Sequence, residues 1–453
     1  MTLPPADSAV PETRLHAADP TPPLDGFPPE EFQARREALR SACPEGMILI
    51  RGAAPEEAVM APYRQNSAFF YLTGVDTPGA FLVLLLEGVP ASALQRDLPP
   101  TVREILFLPA RSPLGETWTG PTIGPGEETE RAAGIEKTLE AGSLWSALIG
   151  GLRRNPLLYT LTPYGEQAKL SRDYALMQRI ADIAPIAQFR DVAPALARQR
   201  MVKSAAERER LCQAIAITGE GQRAARAAIT AGAGRWEYEV EARIYEAFRS
   251  RGATMAFPPI VGAGINATIL HYEDNAARMQ SGDLVVVDIG ARSGHYAGDV
   301  TRTYPVGGAF SPRQQEIYAL VLEAHEWAVA HYRPGTDSLK SLSDRCKAFL
   351  KESGLRARNL QGHEQTMDLF MPHGLTHHLG LDVHDMHGII DMDQPLVPGS
   401  VITIEPGLYI PSEKIGVRLE DDYLVTETGL ERLGPPLEKD IAALEAAGGS
   451  SSA

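Results

Sequence analysis

Cysteine is scarce in this chain. There are three in 453 residues, Cys43, Cys212 and Cys346, odd in number and far apart. That spacing gives neither a disulfide framework nor a zinc knuckle, and it suits a reducing compartment. Long apolar runs are also missing. The longest, Ala80 to Leu86, is far too short to cross a bilayer. Residues 1–24 are rich in proline and acid and lack the basic and apolar segments of a secretory leader. The expectation is therefore a cytoplasmic protein. Positive charge is in deficit: 43 Lys and Arg stand against 58 Asp and Glu, a formal net charge of −15. That balance argues against nucleic acid and anionic membranes as partners. No P-loop occurs, Gly262-Ala263-Gly264 lacks the third glycine of a dinucleotide fingerprint, and no serine nucleophile elbow is present. No period of 20–50 residues marks a repeat protein.

The length suits two domains, and a hydrophobic content of 44% is that of a globular protein. Residues 1–28 carry seven prolines, with Pro29 next, and read as a flexible arm. A helix is expected over Glu30 to Ala42. Buried strands are expected at Gly46 to Ile50, Ala80 to Leu86 and Glu104 to Leu108. Alternating strands and helices predict an α/β domain over 29–195. Residues 121–143 read as a loop with one short helix, and 188–200 as the approach to a boundary. Lys203-Ser204 with Glu207 predicts a capping box opening a long helix. Further helices are expected at Glu220 to Ala231, Glu237 to Arg249 and Arg313 to Tyr332. Strands between them give an α+β domain over 196–440. Residues 441–453 are expected to be a disordered tail.

Chemistry concentrates in five residues: Asp288, Asp299, His377, Glu405 and Glu420. Leu284-Val285-Val286-Val287 reads as a buried strand, and an Asp at its end is costly unless it is paired or ligating. A two-residue loop at Ser293-Gly294 would put Arg292 opposite His295 and Asp288 directly opposite Asp299. Facing like charges destabilise a strand pair, and a cation between them removes the conflict. Glu405 likewise ends the β-branched run Val401-Ile402-Thr403-Ile404. Alternation puts Arg418, Glu420 and Asp422 on one face and Val417 and Leu419 on the other. Four of the 11 histidines fall within the 12 positions from His373 to His384. His271 is a further candidate, although a lone histidine is more often structural. Four carboxylates and one imidazole form a hard, oxygen-rich set suited to two divalent ions. Mn²⁺ is the first expectation, with Zn²⁺, Co²⁺ and Fe²⁺ as alternatives.

Asp288 with Asp299 eleven positions on, HGLTHHLGLDVHD, ITIEPGLYI and GVRLEDDYLV together resemble the pita-bread metallopeptidases, on the aminopeptidase P branch. The resemblance spans roughly residues 55 to 430. Tyr63-Arg64-Gln65-Asn66-Ser67, Phe69 to Gly74 and Glu116 to Gly120 resemble that branch's N-terminal domain. The resemblance implies a pita-bread catalytic domain behind a creatinase/prolidase-like α/β domain. It implies that Asp288 and Asp299 bind one metal, that His377 and Glu405 bind the second, and that Asp299 and Glu420 bridge. Glu405 would accept the proton of a metal-bridging hydroxide's parent water. His271, His373 and His384 would line the substrate pocket, with Arg418 beside Glu420. The implied activity is release of the N-terminal residue from peptides with proline second, by a homo-oligomer (dimer or tetramer). Prolidase activity on Xaa-Pro dipeptides is the alternative, and a non-catalytic binding protein is a more distant one. His378 forms a doublet with His377. Spacing to His373 and His384 favours His377 as the ligand, with His378 in the pocket wall or core.

Overall fold

The computed structural model describes residues 27–54, 63–165 and 167–446. The chain divides into two compact units, 1–192 and 193–453. The proposed arm therefore lies outside the described residues up to 26. Phe27 is buried, against Phe32.

The first unit is built on six strands: β1 (Met47–Arg51), β2 (Phe81–Leu85), β3 (Glu104–Leu108), β4 (Lys137–Glu140), β5 (Leu157–Thr160) and β6 (Gln188–Asp191). Their order is β4-β3-β2-β1-β5-β6. The β1–β2 and β2–β3 pairs are antiparallel; β3–β4, β1–β5 and β5–β6 are parallel. Met47, Ile48 and Leu49 are fully buried, as a central strand with continuous apolar sequence should be. The helices are α1 (Pro29–Ser41), α2 (Ser67–Thr73), α3 (Pro113–Thr119), α4 (Glu127–Ala133), α5 (Leu144–Leu152) and α6 (Arg172–Ile183). Strand β4 falls inside 121–143, where only a loop and a short helix were expected. Its run Lys-Thr-Leu-Glu has a single large apolar residue, too little for a pattern.

A buried charge ties this unit together. Arg36 of α1, fully buried, donates to Glu104 at 2.8 Å, to the Leu72 carbonyl at 2.9 Å and to the Gly134 carbonyl. One guanidinium thus joins α1 to β3 and to the ends of α2 and α4.

The second unit opens with α7 (Ala193–Met201), α8 (Ala205–Thr230) and α9 (Glu237–Arg249). Ser204 and Glu207 form the capping box of α8 reciprocally. The expected separate helix at Glu220 to Ala231 is part of α8, which runs unbroken through Gly219 and Gly221. Gly221 is there for space: a Cβ would lie 2.5 Å from Phe248 and 3.0 Å from Ile289. Strands β7 (Thr254–Met255), β8 (Ile260–Ala263), β9 (Leu284–Ile289), β10 (Ala291–Ser293), β11 (Tyr296–Ala297) and β12 (Val300–Pro305) follow. After α10 (Pro312–Ala330) and α11 (Leu339–Glu352) come a short ribbon, β13 (Arg356–Arg358) with β14 (Glu364–Thr366), and then β15 (Val401–Ile404), β16 (Gly407–Ile410), β17 (Ile415–Arg418), β18 (Asp421–Val425) and β19 (Leu430–Arg432). β12-β9-β8 and β15-β18-β19 form two antiparallel sheets, and β16 pairs with β17. One apolar core joins α8, α9 and α10 to the inward residues Val285, Val287, Ile289, Ile402, Ile404, Val417 and Leu419. Residues 441–446, assigned to the tail, instead form α12 (Ile441–Ala446), because Leu444 is buried in that core. Residues 447–453 lie outside the described residues. Among the described residues no helix is long and apolar enough to cross a membrane.

The central hairpin corrects the expected register. Ser293 pairs with Tyr296, and Thr301, not Asp299, faces Asp288. The loop residues are Gly294 (φ 51°) and His295 (φ 68°). Two successive positive φ angles describe a type I′ turn, whose twist matches the strands. The expectation had centred the loop one residue too early. Because that displaces each partner by two positions, every side chain stays on its expected face.

Replacing Arg36 leaves the buried Glu104 without its hydrogen-bonded cation, with only Arg40 3.8 Å away. Arg36→Met should destabilise the protein by about 3–5 kcal/mol in denaturant titration.

Candidate metal centre

The face of the sheets opposite the apolar core carries the acids. On β9, Val285, Val287 and Ile289 enter the core, so Asp288 points the other way. Thr301 and Thr303 share its face. Thr301 Oγ1 donates to Glu420 Oε2 at 2.7 Å, and Thr303 Oγ1 receives the Arg418 amide at 3.0 Å. Arg418 Nη2 donates to Asp288 Oδ2 at 2.6 Å.

Asp299 sits where the chain passes close over α8. A Cβ on the preceding Gly298 would lie 2.8 Å from Thr218 Oγ1 and 2.9 Å from the Ile215 amide. Only glycine lets the backbone approach that closely. The Asp299 amide donates to Asp422 Oδ2 at 3.1 Å.

His377 is fixed by backbone on both sides: its amide donates to Thr403 Oγ1 at 3.2 Å, and its carbonyl accepts from the Thr403 amide at 3.0 Å. Its ring Nδ1 lies 3.1 Å from the His378 carbonyl, which can only accept. Nδ1 therefore carries the proton, and Nε2 turns its lone pair outward. Nε2 lies 3.5 Å from Asp299 Oδ2, 3.5 Å from Glu405 Oε1 and 4.0 Å from Glu420 Oε1. Asp299, His377 and Glu420 each offer one donor atom, all within 4.8 Å of one another. Glu405 flanks this trio. Asp288 stands at its edge with one oxygen on Arg418.

The electrostatics of the cluster suit it to a cation. Asp299 and Glu420 are held well above the carboxylate range, by burial first and then by neighbouring carboxylates. Asp422 shifts the same way, by burial and then by Asp299. Burial pushes Glu405 up to about 7, against the opposing pull of His377. Among the described residues, Asp288 Oδ1, Asp299 Oδ1 and Asp422 Oδ1 are buried without a hydrogen-bond partner. Buried acceptors of one sign, with an imidazole lone pair among them, bind cations. The donor set is hard and oxygen-rich, and it fits divalent metal ions.

The other histidines fall at different depths. His373 Nε2 lies 2.9 Å from the Tyr409 hydroxyl, and its Nδ1 2.7 Å from the Gly374 carbonyl. Tyr409 also receives Arg418 Nη1 at 2.7 Å. Burial, then the Arg418 charge, pushes His373 down to about 4. His384 is exposed, its ring 4.3 Å from that of His377. His271 is also exposed, and its charge acts on His384. His378 is 4% exposed, and its main chain bridges to Ile402. Burial, and then Lys203, lower its pKa to about 4.

Sequence reasoning passed over Asp422, Tyr409, Thr301 and Thr403. Asp422 was placed on the correct face by alternation but given no part. Tyr409 lay unremarked inside the ITIEPGLYI stretch. The two threonines carry no sequence signal, since β-branched residues are ordinary in strands.

With this geometry in place, comparison with known proteins is direct. Residues 209–427 match the model of metallopeptidase family M24, and residues 32–159 that of the aminopeptidase P N-terminal domain. Xaa-Pro aminopeptidase of Escherichia coli K12 is 34% identical over 443 residues, covering 92% of this chain and 97% of that protein. Proline aminopeptidase P II from Yersinia pestis superposes with a TM-score of 0.78 at 32% identity, covering 93% of this chain and 100% of the other. A zinc-substituted Escherichia coli aminopeptidase P in complex with product gives a TM-score of 0.77 at 33% identity, over 93% and 99% of the two chains.

Three substitutions separate the candidate ligands from the scaffold. With Glu405 pushed up to about 7 in the fold, its contribution to stability is lost as pH rises from the unfolded value through 7. Metal-free Glu405→Gln should therefore be more stable than wild type at pH 8, by roughly 1–3 kcal/mol, with the gain vanishing toward pH 4. The same variant should lose most of the thermal shift expected of the wild type on adding Mn²⁺. His377→Ala should also lose that shift, whereas His378→Ala should keep it. Differential scanning fluorimetry with and without Mn²⁺ reads all three.

Proposed function

This chain belongs to metallopeptidase family M24 and is a metal-dependent aminopeptidase, and from that premise we propose that it releases the first residue of peptides whose second residue is proline. The observation that carries this reading is the convergence of His377 Nε2 with Asp299, Glu405 and Glu420, beside the His373–Tyr409–Arg418 chain. The named activity of the Escherichia coli relative, matched over 92% of this chain, supports the proline specificity.

Asp288, Asp299, His377, Glu405 and Glu420 would hold two divalent ions. Mn²⁺ is our first assignment because the donors are mainly oxygen, with Zn²⁺, Co²⁺ and Fe²⁺ as alternatives. Bound there, such ions would supply a lowered pKa for water and polarisation of a carbonyl. The chain's residues do the rest. Glu405, balanced near neutral pH by burial against His377, is suited to hold the proton that water gives up. Burial keeps His373 neutral, and its Nδ1 and Nε2 are ordered by Gly374 and Tyr409. His384 and His271, both exposed, are free to donate to a peptide carbonyl and to its oxyanion. Arg418 holds Asp288 and Tyr409 together, so it sets the spacing between the acid edge and the His373 side. A substrate's free amine is drawn to the carboxylates. No covalent intermediate is called for.

We also assign the protein to the cytoplasm, in line with its three free thiols, and to a homo-oligomer, as the resemblance implies. The test of substrate is peptide length. With Mn²⁺ present, Xaa-Pro-Yaa tripeptides and longer peptides should be cleaved with higher kcat/KM than Xaa-Pro dipeptides. Turnover confined to dipeptides would assign prolidase activity instead.

A further inference from the structure

His384 is exposed, and among the described residues no side-chain hydrogen bond holds its ring. Its neighbours are other rings, His377 at 4.3 Å and His387 at 5.8 Å. Its position must therefore come from the main chain, and the next residue is bolted down. Asp385 is 4% exposed. Its Oδ2 receives Lys203 Nζ at 2.9 Å, and its Oδ1 receives Arg200 Nη2. Arg200 Nη2 also reaches Asp382 Oδ2 at 2.8 Å, and Lys203 Nζ donates to the Arg200 carbonyl at 2.7 Å. Both cations are nearly inaccessible, at 4% and 3% exposure. They lie at the turn from α7 into α8, far in sequence from the histidines.

The loop over this network is closed on itself. The Asp385 amide donates to the His378 carbonyl at 2.9 Å, and the Gly380 amide to the Asp382 carbonyl at 3.1 Å. The hairpin that leads to Asp299 holds it from the other side: the Ala297 amide donates to the Gly380 carbonyl at 3.0 Å, and Arg292 Nη1 to the Leu381 carbonyl at 2.8 Å. At Gly380 a Cβ would lie 2.5 Å from Asp385 Oδ2 and 3.2 Å from Lys203 Cε, so the loop seats only because that residue is glycine. Two buried cations on one buried carboxylate are a poor source of stability, since desolvation offsets most of the attraction, but they specify one geometry.

We propose that Arg200, Lys203 and Asp385 are positioning residues for His384, fixing the main chain that presents its ring beside His377. The proposal rests on the reading of His384 as a donor to the substrate. It makes the turn before α8 part of the active site's support although none of its side chains reaches the metal ligands' donor atoms in the contacts described above.

The test uses the full-length, Mn²⁺-loaded protein and compares Asp385→Asn, His384→Ala and the double variant. Asp385→Asn should lower kcat by about the same factor as His384→Ala, on the order of 10²-fold for a lost oxyanion donor. KM and the Mn²⁺ stoichiometry should stay at wild-type values, and the double variant should be no slower than His384→Ala alone. Wild-type kcat in Asp385→Asn, or losses that multiply in the double variant, would overturn the proposal. Should Asp385→Asn not fold, Lys203→Met, which leaves Arg200 on the carboxylate, is read by the same pattern with a smaller loss. Wild-type kcat in His384→Ala would sink the reading of His384 itself. A loss there with none from Asp385→Asn or Lys203→Met would sink only the positioning device.

Discussion

The burial of several carboxylates together, and then their mutual repulsion, is the constraint on which the second unit depends. Asp299, Glu420 and Asp422 are all held well above the carboxylate range, and Glu405 to about 7. No fold gains stability by collecting such groups. They stay together because each hangs from a strand or strand end whose other face is anchored in one apolar core, through Val287 and Ile289, Ile402 and Ile404, and Val417 and Leu419. Hydrophobic burial thus holds in place a site that electrostatics alone would open.

The strand segment 417–422 shows how finely this is divided. Val417 and Leu419 go to the core, Arg418 to Asp288, Glu420 to Thr301 and the trio, and Asp422 to the Asp299 amide. Asp421 turns away to Arg302 at 2.6 Å, and Arg302 also donates to the Glu420 carbonyl at 2.8 Å. That guanidinium is fully buried. A cation behind the sheet therefore fixes the backbone from which Glu420 projects in front of it.

Much of this was legible in the residues. Strand β3 and helix α9 have the expected limits, and the capping box at Ser204 and Glu207 is present, because local chemistry decides each of these. The faces of Asp288 and Glu420 followed from a period of two. What stayed hidden depended on tertiary packing or on fine turn geometry. The helix expected from Glu220 is the later part of α8, where Phe248 and Ile289 pack close against Gly221. Helix α11 had its Ser338 cap and apolar Leu339, Leu342, Cys346 and Leu350 in view, and was passed over. The hairpin loop was placed one residue early because Ser293-Gly294 and Gly294-His295 are equally plausible pairs on paper. The link from Lys203 to Asp385 spans 182 residues, and no local pattern announces it.

The type I′ turn at Gly294 and His295 also bounds how this protein can vary. Asp288, on β9, and Asp299, between β11 and β12, lie on either side of it, in a hairpin whose inward and outward residues alternate. Deleting or adding one residue between the turn and either aspartate would send that carboxylate into the apolar core and bring a valine or isoleucine out among the acids. Changes of two residues keep the orientation but slide the acid along the strand by a full pleat. Away from Gly294 and Gly298 the hairpin can exchange side chains, but its length is tied to the two aspartates it delivers.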